Sequence, residues 1–88
     1  MSPYIKKENR EKFKKIVGEF LENAKIVGPG ELNFLLTMLC QTYLANNEEK
    51  YQTYNDIIGV LECIKQEYYR KQIVPYENLK EVENGEVY

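Results

Sequence analysis

The stretch TYNDIIGVLECIKQEYYRKQIV, residues 53–74, has the longest uninterrupted helical pattern in the chain. Thr53 is a suitable N-cap, and Asp56 stands three residues later as in a capping box. Pro75 predicts the end of the helix, because the residue before a proline is pushed out of the α region. One face repeats apolar and aromatic residues at helical spacing: Tyr54, Ile57, Val60, Leu61, Ile64 and Tyr68. A helix near 53–73 is therefore expected to organise the fold.

The opposite face of this helix has a different composition. It carries these residues: Asn55, Gly59, Glu62, Gln66, Tyr69 and Ile73, with Cys63 and Arg70 beside them. Glycine in a helix interior costs about 1 kcal/mol relative to alanine, so its presence needs a reason. One interpretation is the close approach of another helix at Gly59 and Cys63. The alternative is a polar pocket wall, and both hold if the pocket lies between subunits.

Two further helices are predicted before residue 53. The first, near 7–25, has a clear apolar stripe: Phe13, Ile16, Val17, Phe20, Leu21 and Ala24. Gly28, Pro29 and Gly30 then break the chain, with Pro29 in the first turn of the next helix. That helix, near 30–45, has this main face: Leu32, Leu35, Leu36, Leu39 and Tyr43.

The tail, residues 75–88, is compatible with two structures. Asn84-Gly85 is the strongest short turn signal of the chain and favours a small hairpin. A short helical turn near Glu77–Val82 followed by a docked tail fits equally well. The resulting fold class is an all-α, three-helix, bundle-like single domain covering residues 1–88.

The second helix also carries Phe34 and Met38, one turn apart, on the side opposite its main face. A helix that is apolar on two sides is buried on two sides. A chain of 88 residues has few elements to cover the second side, so we predict a homo-oligomer. Phe34, Met38, Gly59 and Cys63 are placed nearest the contact between subunits.

Charge is unevenly distributed, although the formal net charge is only −2, which gives no general reason to expect nucleic-acid binding. Residues 6–15 contain six Lys or Arg and two Glu, whereas residues 72–88 contain four Glu and one Lys. Two interpretations stay open: pairing of the basic and acidic segments between neighbouring subunits, and simple solvated faces.

The chain is expected to lie in the cytoplasm, of a bacterium or a phage-infected host. Its N-terminus has no apolar core of signal-peptide length, and the run Leu32 to Leu44 is too interrupted to span a bilayer. Cys40 and Cys63 are expected to be buried thiols in a reducing compartment.

No catalytic, metal or cofactor site is predicted. Histidine is absent, Ser2 is the only serine, and no glycine-rich phosphate loop occurs. A hydrolase that uses the carboxylates of Asp56, Glu62 or Glu67 stays an alternative, but these residues also fit a helix surface. Glu67 is spaced for an i,i+4 ion pair with Lys71. The chain is therefore expected not to be an enzyme.

Aromatic content is the most suggestive chemical feature, with eight tyrosines and no tryptophan. Tyrosine can stack on a base while arginine binds a phosphate in bidentate fashion. The alternative is structural: core and interface tyrosines, with cations that neutralise a helix C-terminus. The predicted site for a small anionic ligand comprises these residues: Arg70, Lys71, Tyr69, Tyr76, Asn55, Glu62 and Tyr88.

Five segments resemble a family of small uncharacterised proteins of bacteria and phages that is described only as a domain of unknown function: PYI (3–5), PGELNF (29–34), NDIIGVLECIKQEYYR (55–70), PYE (75–77) and ENGEVY (83–88). The resemblance implies no activity and no functional residues. Phages also encode small oligomeric anti-defence proteins that sequester cyclic-nucleotide or ADP-ribose-type immune signals. By analogy of type, nucleotide sequestration is the first function expected here. The alternative is a structural or protein-protein interaction module.

Overall fold

A computed structural model describes residues 5–87 of the chain. In order, it contains α1 (Lys7–Asn23), α2 (Pro29–Asn46), α3 (Tyr51–Tyr68), a π-helical turn (Tyr69–Ile73, the π turn) and α4 (Val74–Asn84). The last three follow one another without a break, so the chain has three helical segments. Residues 5–87 contain no strand. The prediction of an all-α fold with three helices is confirmed.

Two compact units are distinguished, and the boundary between them falls inside α2, between Leu36 and Thr37. The first unit contains α1 and the beginning of α2. The second contains the rest of α2, α3, the π turn and α4. The single domain expected from the sequence stays a prediction.

In the first unit, the connection from α1 to α2 is built by local backbone and side-chain bonds. The N–H of Ala24 donates to Phe20 O at 2.7 Å and closes α1. Gly28 has a φ of 83°, a left-handed value that glycine adopts without strain. Glu31 Oε1 accepts a 2.9 Å hydrogen bond from the N–H of Val27, which fixes the start of α2. Pro29 stands at the first helical position, as predicted.

In the second unit, the helix that begins with α3 does not end at Pro75. It continues as α4 to Asn84, so the prediction of a helix stop at this proline is wrong. Proline lacks an N–H and its ring clashes with the carbonyl four residues earlier in a regular α-helix. Directly before Pro75 the helix widens into the π turn, and Pro75 lies in the first turn of α4, where proline is tolerated.

The start of α3 also differs from the prediction. The helix begins at Tyr51 with Lys50 as the N-cap residue, so Thr53 is not the cap. The Thr53 hydroxyl instead donates to the backbone carbonyl of Glu48 and ties the first turn to the preceding connection. Thr53, 3% exposed, is the one buried residue within the described range.

The C-terminal segment is helical rather than a hairpin. Asn84 is the last residue of α4, and the N–H of Gly85 donates to Glu81 O at 2.8 Å. Gly85 has a φ of 85°, so it ends the helix in the way that glycine commonly does. The turn signal of Asn84-Gly85 is therefore a helix end. The segment is helical, but over Val74–Asn84 and not only over a short turn near Glu77–Val82, and Val87 after it is 91% exposed and not docked.

No hydrophobic side chain among residues 5–87 is buried, in either unit. The face of α3 expected to form the core is partly open, since only Ile57 and Leu61 of it are half-buried. Ile16 on α1 is 70% exposed and Leu39 on α2 is 66% exposed. Cys40 and Cys63 are half-buried free thiols, not the fully buried ones expected. The amphipathic faces are thus formed but not covered.

Candidate functional site

The π turn holds three of the residues that the sequence proposed for a ligand site: Tyr69, Arg70 and Lys71. Its wide turn is marked by the N–H of Val74, which donates to Tyr69 O five residues back. Such turns are rare inside α-helices and occur frequently at functional sites. Here the following Pro75 gives the turn a structural reason as well.

Arg70 is engaged by an acid of its own helix. Its Nη2 atom donates a 2.8 Å hydrogen bond to Glu67 Oε1, three residues earlier. This bond lowers the pKa of Glu67, and the nearby charges of Arg70 and Lys71 act in the same direction. Glu67 therefore pairs with Arg70 and not with Lys71, the partner expected from the i,i+4 spacing. Lys71 makes no ion pair within residues 5–87.

The two tyrosines of the proposed site also have partners on the same helix. The Tyr69 hydroxyl donates to Glu77 Oε1 at 3.1 Å, and this bond raises the pKa of Tyr69. The ammonium of Lys80 lies 5.5 Å from the ring centroid of Tyr76, a cation–π distance. Neither ring faces an enclosed space, since both side chains are exposed.

Asn55 and Glu62 are not brought to the π turn. Glu62 Oε1 accepts from Gln66 Nε2 at 3.1 Å and lies 3.5 Å from Lys65 Nζ. The bond from Gln66, followed by the charge of Lys65, lowers the pKa of Glu62. At 1.5 Å per residue, Asn55 lies roughly 20 Å along the helix from Arg70. Tyr88, the last residue of the proposed site, lies outside the described residues.

The predicted site lacked two acids that the structure places here: Glu67, the partner of Arg70, and Glu77, the partner of Tyr69. The i,i+3 spacing of Glu67 and Arg70 was a readable signal for the first. The second pair is eight residues apart and meets only because of the π turn, so no regular spacing pointed to it. The π turn is therefore an exposed surface on which Tyr69 and Arg70 are already hydrogen-bonded to acids of the same helix.

The first unit contains a concave apolar site that the sequence did not predict. It is an open groove of about 390 Å³ between the end of α1 and the start of α2. Its lining includes these residues: Phe20, Ala24, Lys25, Ile26, Phe34 and Leu35. Lys25 makes no ion pair within the described part of the chain. The groove therefore has mainly apolar walls with one cation, Lys25, and one acid, Glu31, in its lining. It also includes Phe34, which the sequence placed near a subunit contact.

The residues placed at a helix contact on the second unit are open to solvent or half-buried. A Cβ atom added at Gly59 would meet nothing within 4 Å. Met38 is 54% exposed, and Cys63 is half-buried. Within a single described chain, nothing occupies the space that the glycine leaves.

No group of three or more His, Cys, Asp or Glu side chains in residues 5–87 could hold a metal ion. Across the same range, every helix is too short or too polar to cross a bilayer.

Fold and site together define a small all-α polypeptide. Its helices expose apolar side chains, and several of its charged side chains form ion pairs within their own helix. Comparison of the sequence with family models identifies it further. The chain belongs to the family described as a domain of unknown function, DUF6899, whose model matches residues 1–87. No curated protein and no solved structure matches the chain significantly.

Proposed function

We propose that this chain is a non-enzymatic interaction module that associates with further copies of itself. The observation that carries the proposal is the uncovered apolar surface of the helices in residues 5–87. Folding is driven mainly by removal of apolar surface from water, at about 25 cal/mol for each Å² buried. In residues 5–87 no hydrophobic side chain is fully buried, so further apolar surface remains for a partner to cover.

The uncovered residues follow the helical period, which favours a specific contact over general exposure. On α1 the exposed apolar residues are those of the predicted stripe: Phe13, Ile16, Val17, Phe20 and Leu21. Soluble monomers rarely expose continuous apolar patches of more than a few hundred Å². A second copy is the partner that is always present at matching concentration, and small domains commonly gain stability by oligomerisation.

On the second unit, the contact is proposed near Gly59 and Met38. A glycine in a helix interior lowers helix stability and permits the close approach of another backbone. Because the space around Gly59 is open in one chain, a leucine there would fit the isolated helix. The same leucine would separate two helices that cross at this point.

Sedimentation equilibrium over a range of micromolar concentrations tests the proposal. We expect a mass above 10.4 kDa that increases with concentration. Gly59→Leu should weaken association, whereas Gly59→Ala, the matched control, adds only a methyl group and should weaken it less. A wild-type monomer at all these concentrations would refute self-association. Equal association of wild type and Gly59→Leu would move the contact away from this glycine.

A second candidate function is the binding of a phosphate-bearing nucleotide, as in a phage anti-defence protein of the bacterial cytoplasm. It is supported by the π turn, which groups Tyr69, Arg70 and Lys71 on one exposed turn. Arginine offers a planar donor fork that stays charged at every relevant pH. A phosphate would have to compete with Glu67 for this fork, which is why the interaction module is the first proposal.

Calorimetry with a panel of cyclic dinucleotides and ADP-ribose derivatives tests the second candidate. If a phosphate is bound at the π turn, Arg70→Ala should weaken binding by about tenfold or more, because a charge-assisted hydrogen bond is lost. Arg10→Ala removes an arginine from α1 and is the matched control. If no compound of the panel gives a heat of binding, nucleotide binding is refuted and the interaction module is the remaining proposal. Equal affinity of wild type and Arg70→Ala would place the ligand elsewhere.

A further inference from the structure

The two terminal helices carry opposite charge: cations are concentrated at the start of α1, and Glu81, Glu83 and Glu86 lie at or beyond the end of α4, whereas Glu77 lies in its first turn. Residues 6–15, at the start of α1, contain six cations and two acids. Residues 77–86, mostly in α4, contain four acids and one cation. A helix dipole favours acids at the N-terminus and cations at the C-terminus. Both helices would therefore gain from a partner of the opposite charge at these ends.

Few of these charges are satisfied within one chain. Among the described residues, only Lys14 of the six cations in 6–15 forms an ion pair, with Glu11 at 3.2 Å. On α4, Glu83 pairs with Lys80 at 3.1 Å, and Glu81 forms no ion pair. Every one of these pairs is exposed, so the charges stay available to a partner.

Both helices also have an uncovered apolar surface of similar length. On α1, Phe13 and Phe20 are seven residues apart, or about 10 Å along the axis. On α4, the exposed apolar residues recur every three residues over about 9 Å: Tyr76, Leu79 and Val82. Because each step of three residues falls short of a full turn by about 60°, this row winds around α4. The two apolar surfaces thus extend over similar lengths of helix.

We infer that α4 of one copy docks antiparallel along α1 of a second copy. The antiparallel direction places the acidic end of α4 beside the basic start of α1. It also brings Tyr76, at the start of α4, toward the apolar groove at the end of α1 that Phe20 and Phe34 line. An amphipathic helix seated on an apolar groove is a common mode of recognition between proteins. In a two-fold dimer the contact occurs twice, since each copy supplies both helices.

The inference rests on the proposed self-association and adds a second contact surface to the one proposed near Gly59. Charge complementarity identifies what binds to the apolar stripe of α1. The cations beside this stripe match an acidic amphipathic helix, and the same chain carries such a helix, α4. Opposite charges across an interface guide encounter and fix the direction of pairing, and like charges placed together exclude wrong partners. These effects allow a test by exchange of charge.

Two variants carry the test. The acidic-head variant combines Lys12→Glu and Lys14→Glu, which flank Phe13 on either side of the α1 stripe. The basic-tail variant combines Glu83→Lys, next to Val82 in α4, with Glu86→Lys, two residues after the end of α4. Each variant alone puts charges of the same sign at residues 12 and 14 and at residues 83 and 86, so its dimer dissociation constant should rise about tenfold or more. An equimolar mixture should recover association, because in the mixed dimer these exchanged positions again carry opposite charges in both contacts.

A control variant, Lys50→Glu with Lys65→Glu, makes the same change in net charge as the acidic-head variant at residues outside α1. It should associate as the wild type does. Sedimentation velocity measures association, and circular dichroism confirms that each variant keeps its helices. Association of the wild type should also weaken as salt is raised, because exposed charges are screened.

The outcomes separate this inference from the proposed function. A wild-type protein that stays monomeric refutes both. A wild type that associates, with variants that associate equally well, leaves self-association standing and refutes the α1–α4 contact. Loss of association in each variant without recovery on mixing also refutes the contact, as does association of the wild type that is insensitive to salt. Loss in each variant with recovery on mixing is the expected result.

Discussion

The hydroxyl of Tyr69 donates a 3.1 Å hydrogen bond to Glu77, eight residues further along one continuous helix. In a regular α-helix, residues eight apart are rotated by about 80° around the axis. The π turn accommodates one residue more per turn and brings the two side chains onto one face. The Tyr69–Glu77 bond is therefore a direct consequence of the π turn that precedes Pro75.

Replacement of Pro75 by alanine should convert the π turn into a regular α-helix. Alanine restores the missing N–H and removes the ring that clashes with the preceding turn, which favours the α-helix by about 1–3 kcal/mol. The bond from the Val74 N–H to Tyr69 O should then be lost together with the Tyr69–Glu77 bond. Denaturation by urea and amide hydrogen exchange measure the change. Retention of the π turn in Pro75→Ala would show that the proline does not cause it.

The ionisation of Tyr69 should depend on Glu77. The phenol donates to the carboxylate, and a phenolate beside a negative charge is unfavourable, so the pKa of Tyr69 is raised. Glu77→Gln removes the negative charge and should lower the pKa of Tyr69 toward its usual range. Tyr54, whose pKa is raised by its hydrogen bond to Glu49, is the internal control and should titrate unchanged. NMR of the tyrosine rings at high pH distinguishes the two, and an unmoved Tyr69 would contradict the hydrogen bond.

The ion pair of Glu67 and Arg70 should make the helix sensitive to acid. Because the pKa of Glu67 is lowered in the folded chain, its contribution to stability is present above the ordinary value of 4.5. It is lost as the pH falls through the lower folded value. Arg70→Gln should raise the pKa of Glu67 in a carboxylate NMR titration. Glu62, whose pKa is lowered by Gln66 and Lys65, should not change and serves as the control. An unchanged Glu67 would be inconsistent with the pair.

Thr53 should contribute to stability through its hydroxyl. Thr53→Val keeps the shape of the buried side chain but removes the donor to the Glu48 carbonyl. The loss of one such bond should cost about 0.5–1.5 kcal/mol of the free energy of unfolding. Thr53→Ser keeps the hydroxyl and is the matched control, with a smaller loss from the missing methyl group. Urea denaturation measures the free energy of unfolding of each variant. If Thr53→Val is as stable as the wild type, the hydrogen bond makes no net contribution to stability.

Helix positions could be predicted from sequence because periodicity, glycine and proline act locally. The stripe from Phe13 to Ala24 and the break at Gly28 located α1 and α2 to within a few residues. The stop at Pro75 was wrong because a proline also fits in the first turn of a new α-helical segment, and the widened turn before it keeps the helix continuous. The pair Asn84-Gly85 left a hairpin and a helical segment equally open, because a glycine with positive φ ends helices as well as it turns strands.

The sequence by itself determined the helices, the uneven charge of the two ends and the lack of a recognisable catalytic motif, since these depend on residue type and spacing along the chain. Only the tertiary structure decided which side chains meet. It assigned Arg70 to Glu67, joined Tyr69 to Glu77 across the π turn, and placed Phe20 and Phe34 on one groove. The physical reason is that such contacts depend on the phase of the helix and on the path of a connection. One wide turn or one glycine at positive φ changes both without altering the surrounding pattern of residues.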